Sequence, residues 1–167
     1  MANTYVIIAS TTVGSGGAAS IEFTSIPQTY TDLLIKFMAR NESTGPELAV
    51  ISFNSSTANF SSLYLEGNGA SVTAGTYARF IGTEVPSSAT ANTFSSHEIY
   101  IPNYTNSTNK VYTAFAASEN NGTTAYTNLI AGLRSNTAAI TSIKLSLTDN
   151  TDLAQYSSAT LYGIKNS

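Results

Sequence analysis

The stretch TDLLIKFMAR (Thr31–Arg40) reads two ways, and the choice decides the fold class. As a helix it gathers Leu33, Leu34, Phe37 and Met38 on one stripe. As a strand it sets Leu33, Ile35, Phe37 and Ala39 on one face, with Leu34, Lys36, Met38 and Arg40 on the other. Pro27 before it and the Asn41–Pro46 turn after it leave room for only about ten residues. Its neighbours are strand-like, so the strand reading is adopted.

Working outward, short alternating runs recur near Thr4–Val13, Ser20–Ile26, Asp32–Asn41, Glu47–Asn54, Ser62–Glu66, Thr76–Gly82 and Ser95–Pro102. Further runs cover Lys110–Ser118, Asn128–Arg134, Ser142–Thr148 and Ala159–Lys165. Their Tyr, Phe, Val, Ile and Thr suit a pleated surface. Gly14-Ser15-Gly16-Gly17 reads as a hairpin connection between the first two runs. It is not a phosphate loop, since no lysine and no helix follow. Gly67-Asn68-Gly69, Asn120-Asn121-Gly122 and Asp149-Asn150-Thr151-Asp152 read as turns, and Pro86–Asn92 as an exposed loop. About ten short strands without a helix imply an all-β chain. The expected architecture is a single-domain antiparallel β-sandwich, jelly-roll-like, over residues 1–167.

Composition narrows the function. Only 10 % of the 167 residues are charged, against roughly 25 % in a typical domain. Ser, Thr and Asn take their place. A surface of hydroxyls and amides is cheaper to bury than one of Lys and Glu, which suits a subunit that packs against its own copies or a larger shell. The seven Lys and Arg are scattered singly and net charge is −3, so no basic stripe tracks a nucleic-acid backbone. No basic amphipathic helix or long apolar span points to a membrane. The absence of cysteine removes disulfides, thiolate metal sites and a Cys nucleophile. The first residues show no secretory signal pattern, so the expected origin is a cytoplasm.

The chemical candidates are few. His97 is the single histidine, next to Glu98. In a strand the two point to opposite sides of the sheet and form no pair. The ten carboxylates show no spacing that brings two together for acid–base work. Asp149 and Asp152 flank a turn and suit solvation better than Ca²⁺ binding. Six Asn-x-Ser/Thr triplets arise readily in so Asn-rich a chain. No catalytic, cofactor or metal residue is therefore assigned, and the chain is expected not to be an enzyme. Ten tyrosines and no tryptophan offer apolar area with a polar tip, suited to protein or sugar contacts. Tyr64 beside Glu66 and Asn68, and Tyr104 beside Asn103 and Asn106, are the candidate sugar platforms. The run Ala2–Val13 is a candidate docking strand.

Several stretches occur together: IPQTYTDL (Ile26–Leu33), SFNSSTANFSS (Ser52–Ser62), LEGNG (Leu65–Gly69), ATANTFSSHEIYIPNY (Ala89–Tyr104), SENNGT (Ser118–Thr123), IAGLRSNTAAITSI (Ile130–Ile143) and SSATLYGIK (Ser157–Lys165). This set resembles small β-sandwich virion structural proteins of tailed bacteriophages, mostly marine and cyanobacterial, across nearly the whole chain. It departs from them at Ser55, where glycine is common, and at Arg134, where an aromatic is common. The resemblance implies a non-enzymatic virion component made in the host bacterial cytoplasm. Its first implied role is a capsid decoration (cement) protein, a homotrimer that binds the major capsid protein and stabilises the head surface. The alternative is a tail or fibre module that binds a receptor or glycan among tail proteins. The resemblance assigns no partner-binding residue.

Overall fold

The computed structural model describes residues 5–119 and 125–165. Twelve strands run in chain order: β1 (Tyr5–Thr12), β2 (Ser20–Phe23), β3 (Asp32–Met38), β4 (Leu48–Phe53), β5 (Phe60–Gly67), β6 (Val72–Thr76), β7 (Phe80–Thr83), β8 (Ser96–Ile101), β9 (Lys110–Glu119), β10 (Ala125–Arg134), β11 (Ile143–Leu147) and β12 (Ser158–Ile164). There is no helix among the described residues, and TDLLIKFMAR is a strand.

The strands form two antiparallel sheets. The large one has the order β1-β12-β3-β8-β9-β10-β5-β6, the small one β2-β11-β4-β7. Without the hairpins β5–β6 and β9–β10, the remaining eight strands alternate between sheets along the chain except at β4 and β7, which follow one another within the small sheet. The orders β1-β12-β3-β8 and β2-β11-β4-β7 are those of a jelly roll. Both hairpins are inserted on the β8 side and double the width of one sheet. Between the sheets lies a core in which Leu33, Ile35, Phe37, Ile99, Ile101 and Leu161 meet Ile21, Phe23, Ile51, Phe53, Ile143 and Leu145.

Two sequence expectations are corrected. Gly14–Gly17 does not close a hairpin, because β1 pairs with β12 and β2 with β11. The glycines instead carry the chain from one sheet to the other, Gly16 and Gly17 with φ of 97° and 74°. The run Thr76–Gly82 is not one strand. It spans the end of β6 and most of β7, which belong to different sheets. Between them Arg79 takes a left-handed φ of 67°, and no Gly, Pro or Asn announces the break. The count is thus twelve strands. The Asn68 turn closes the β5–β6 hairpin, its Oδ1 accepting from Ala70 N and Ser71 N at 3.0 and 2.8 Å. The turn expected at Asn120–Gly122 lies outside the described residues.

The Pro86–Asn92 segment is tethered as well as partly exposed. Arg40, just past β3, is buried, and its guanidinium donates to four carbonyls, those of Ser87, Ala89, Thr90 and Thr93, at 2.8 to 3.1 Å. One side chain thereby satisfies backbone acceptors of a segment with no strand of its own. Arg40→Ala is expected to cost about 3 kcal/mol in chemical denaturation, through the lost charge-assisted hydrogen bonds. It should also open residues 86–93 to limited proteolysis before the sheets unfold.

Candidate functional site

The inward side chains of the large sheet include the buried polar residues Ser62, His97, Lys110, Ser118, Asn128 and Arg134. β7 is the edge of the small sheet, and its backbone on that side would be left without partners. Four inward residues meet it. Ser62 Oγ accepts from Phe80 N at 3.2 Å, and Tyr112 OH donates to Phe80 O at 3.2 Å. His97 Nδ1–H donates to Ile81 O at 3.0 Å, and Asn128 Oδ1 accepts from Thr83 N at 3.2 Å. Glu66 holds Asn128 Nδ2 at 2.9 Å and Thr83 Oγ1 at 3.2 Å. Burial pushes the Tyr112 phenol up to about 12, so it remains a donor.

His97, Glu84 and Ser95 have the composition of a hydrolase triad. His97 Nε2 lies 2.9 Å from Glu84 Oε1 and 3.0 Å from Ser95 Oγ, and Ser95 also donates to Glu84 Oε2. The arrangement differs from a triad in what matters chemically. The acid and the serine share one ring nitrogen, while the other is spent on the Ile81 carbonyl. Both partners of the ion pair are sealed from solvent. Gly82, at φ 142°, lies so close that a Cβ there would strike the imidazole. The network closes the sandwich and leaves no room for a substrate. Glu98 lies on the opposite face, exposed and paired with Lys36.

Two further cations are buried without a carboxylate. Lys110 Nζ donates to the carbonyls of Asn106, Thr108 and Thr137. Arg134, opposite it in the β9–β10 register, lies over the rings of Phe60 and Phe53 at 5.6 and 6.0 Å. Burial lowers both their pKa values, with Arg134 adding to the shift of Lys110. The cation at position 134 thus sits against aromatic rings. Among the described residues no group of three or more His, Cys, Asp or Glu is placed to hold a metal ion.

The sugar platforms expected at Tyr64 and Tyr104 do not exist. Tyr104 is fully buried, its hydroxyl donating to Pro27 O. Tyr64 points inward against Phe80, ring centroids 5.1 Å apart, and Glu66 is committed to β7. Alternation near a turn did not reveal which parity faces the core. The described part of Ala2–Val13 holds β1, which pairs with β12 on one side and is the edge strand of the large sheet, so the docking-strand expectation rests on that outer edge.

The feature that composition did not locate is the outer face of the large sheet. Leu65, Leu129 and Phe115 are direct cross-strand partners. In the adjacent row Leu63 stands opposite Ala131, and Ala131 opposite Thr113, which leads on to Tyr100 and Leu34. Val72 is 74 % exposed, Leu63 63 %, Leu129 54 % and Phe115 53 %. Leu63, Leu65, Phe115 and Leu129, with Tyr100 and Ala131, line a broad groove of about 820 Å³ across β8, β9, β10, β5 and β6. Such contiguity exceeds the scattered apolar residues of an ordinary surface. The signal was present in the sequence: β9 and β10 carry large apolar residues at both parities, more than one buried face needs.

A smaller cleft of about 400 Å³ lies on the same face, between Tyr5, Tyr100 and Tyr162, with Lys36 and Glu98 at its side. Tyr100 OH donates to Asp32 Oδ2 at 2.8 Å, which fixes that ring; burial and the Asp32 bond raise its pKa.

The fold and face together define a jelly-roll sandwich with one widened, apolar-faced sheet. Comparison with protein-family models, curated proteins and solved structures finds no match.

His97 yields a sharp test. Burial alone would push its pKa down, but the Glu84 carboxylate outweighs burial and the net shift is upward from 6.5. A raised histidine pKa stabilises the fold fully below about 6.5 and loses that contribution as pH rises through the folded-state value. As the only imidazole in the chain, His97 should titrate in NMR with a midpoint above 6.5. The stability gap between wild type and His97→Asn should narrow as pH rises from about 6.5 into the alkaline range.

Proposed function

We propose that this chain is a non-enzymatic structural subunit of a tailed-phage particle, a decoration protein that braces the head by burying the outer face of its large sheet. The observation that carries this reading is the unpartnered ladder Leu65–Leu129–Phe115 with its flanking rows. The low charge and the resemblance set out above support it, as does the sealed state of the His97–Glu84 pair. In this role the subunit is made in the host bacterial cytoplasm and joins the shell built by the major capsid protein. Its action is passive. Apolar rows and uncharged hydroxyls and amides are removed from water, and repeated contacts across the particle multiply a modest affinity.

Quantifying the chain against the major capsid protein in purified particles tests the reading. Decoration requires a ratio that is a sizeable fraction of the capsid protein, and absence from particles would end the proposal. Leu129→Glu should release the subunit from particles while leaving its fold intact, since the side chain is exposed.

A second reading, a tail or fibre module that binds glycans, is favoured by the tyrosine cleft at Tyr5, Tyr100 and Tyr162. Aromatic faces beside one acid and one amine suit the apolar and hydroxyl sides of a sugar. A copy number near that of tail proteins, with glycan binding abolished by Tyr162→Ala, would select it.

A further inference from the structure

We infer that the occupant of the apolar outer face is a second copy of this chain, packed face to face about a two-fold axis. The inference rests on the reading of that face as the docking surface and names its partner.

Size is the first argument. Eight strands at about 4.8 Å spacing and roughly 24 Å in length present a face on the order of 900 Å². A stable interface takes about 800 Å² from each partner. The face is too broad for one peptide strand or helix, which would leave most of the apolar rows wet, but it matches another sheet.

Shape is the second. A twisted sheet is a saddle, and a saddle turned over about an axis in its own plane mates with the original. Two such faces stack as the sheets of a sandwich do, about 10 Å apart, with the side chains of each filling the hollows of the other. The groove across β8 to β6 then receives bulky side chains of the second copy.

Charge is the third. Across the same eight strands the outer face carries Lys36 and Glu98, which pair with each other, Asp32 of β3, and Glu119 at the far end of β9, which accepts from Thr90 N. An isologous contact sets each patch against itself, so a dense patch of one sign would repel. These charges are few and engaged: Lys36 and Glu98 balance, and Asp32 accepts from Tyr100 OH at 2.8 Å. Leu65, Leu129 and Phe115 lie together on β5, β10 and β9, in the half of the face that forms the groove, where apolar contact is densest.

The expected trimer of a cement protein would need a head-to-tail contact between two different surfaces. The dimer inferred here uses one surface twice and leaves β1, the small sheet and the loops for the shell.

Analytical ultracentrifugation of the full chain, from about 1 to 100 μM, tests the inference. The expected result is a concentration-dependent dimer. Leu65→Glu and Leu129→Glu should each weaken it by about 30-fold or more. Gln155→Glu, an exposed change in the segment before β12, should leave the dissociation constant within about twofold. Circular dichroism and thermal melts confirm that each variant is folded. A wild-type monomer at 100 μM, a trimer, or a dimer indifferent to both leucine changes would each overturn the inference. Particle association reads the docking role separately: a wild-type monomer that Leu129→Glu still releases from particles would leave the docking surface in place and give it another occupant.

Discussion

The open edge of β7 is the constraint around which the molecule is arranged. A small sheet of four strands lying under a sheet of eight must end somewhere beneath its partner, and it ends at a strand whose outer backbone groups face protein. Burying those groups unpaired would cost roughly 1 to 3 kcal/mol each. The large sheet prevents this with side chains from four neighbouring strands, Ser62 of β5, His97 of β8, Tyr112 of β9 and Asn128 of β10. Polar residues at inward positions of a sandwich look like defects until this role is seen. They also explain why Gly82 and Gly132 carry no side chain, since a Cβ at either would collide with the His97 or Tyr112 ring that does the capping.

The same arrangement produces the apolar outer face. The two inserted hairpins supply Ser62, Tyr112 and Asn128, and so they are needed to finish the inside. In doing so they extend the sheet and add an outer surface that nothing among the described residues covers. Structural completion and surface exposure are therefore two sides of the same strands. Leu63 and Leu65 alternate with Ser62, Tyr64 and Glu66, and Val111 and Phe115 with Tyr112 and Ala114.

Much of the fold was legible in the sequence because alternation is local. Strands at 31–40 and 95–102, the Asn68 turn and the opposite facing of His97 and Glu98 follow from period two and turn chemistry alone. Sheet membership is not local. Gly14–Gly17 has the composition of a hairpin, yet whether the chain turns back or crosses over depends on β12 and β11, some 130 residues away in sequence. The Tyr77–Arg79 break was hidden because a left-handed arginine does there what glycine usually does. Facing was the hardest property. Where both parities are apolar, alternation does not say which side is the core, and so Tyr64 and Tyr104 read as surface residues although both turn inward.

Three of the seven cationic side chains, Arg40, Lys110 and Arg134, are withdrawn from the surface, and a fourth, Lys36, is neutralised by Glu98. What remains outside is a set of scattered carboxylates among hydroxyls and amides, and an outer face of the large sheet that is mostly apolar. Counter-ions have little to screen on that face, so a contact made through it would hold nearly the same strength over a wide range of ionic strength. Strongly hydrated salts such as sulfate tighten apolar burial instead. A protein docked through such a face would keep its grip when the medium changes from fresh to saline, where one held by ion pairs would let go.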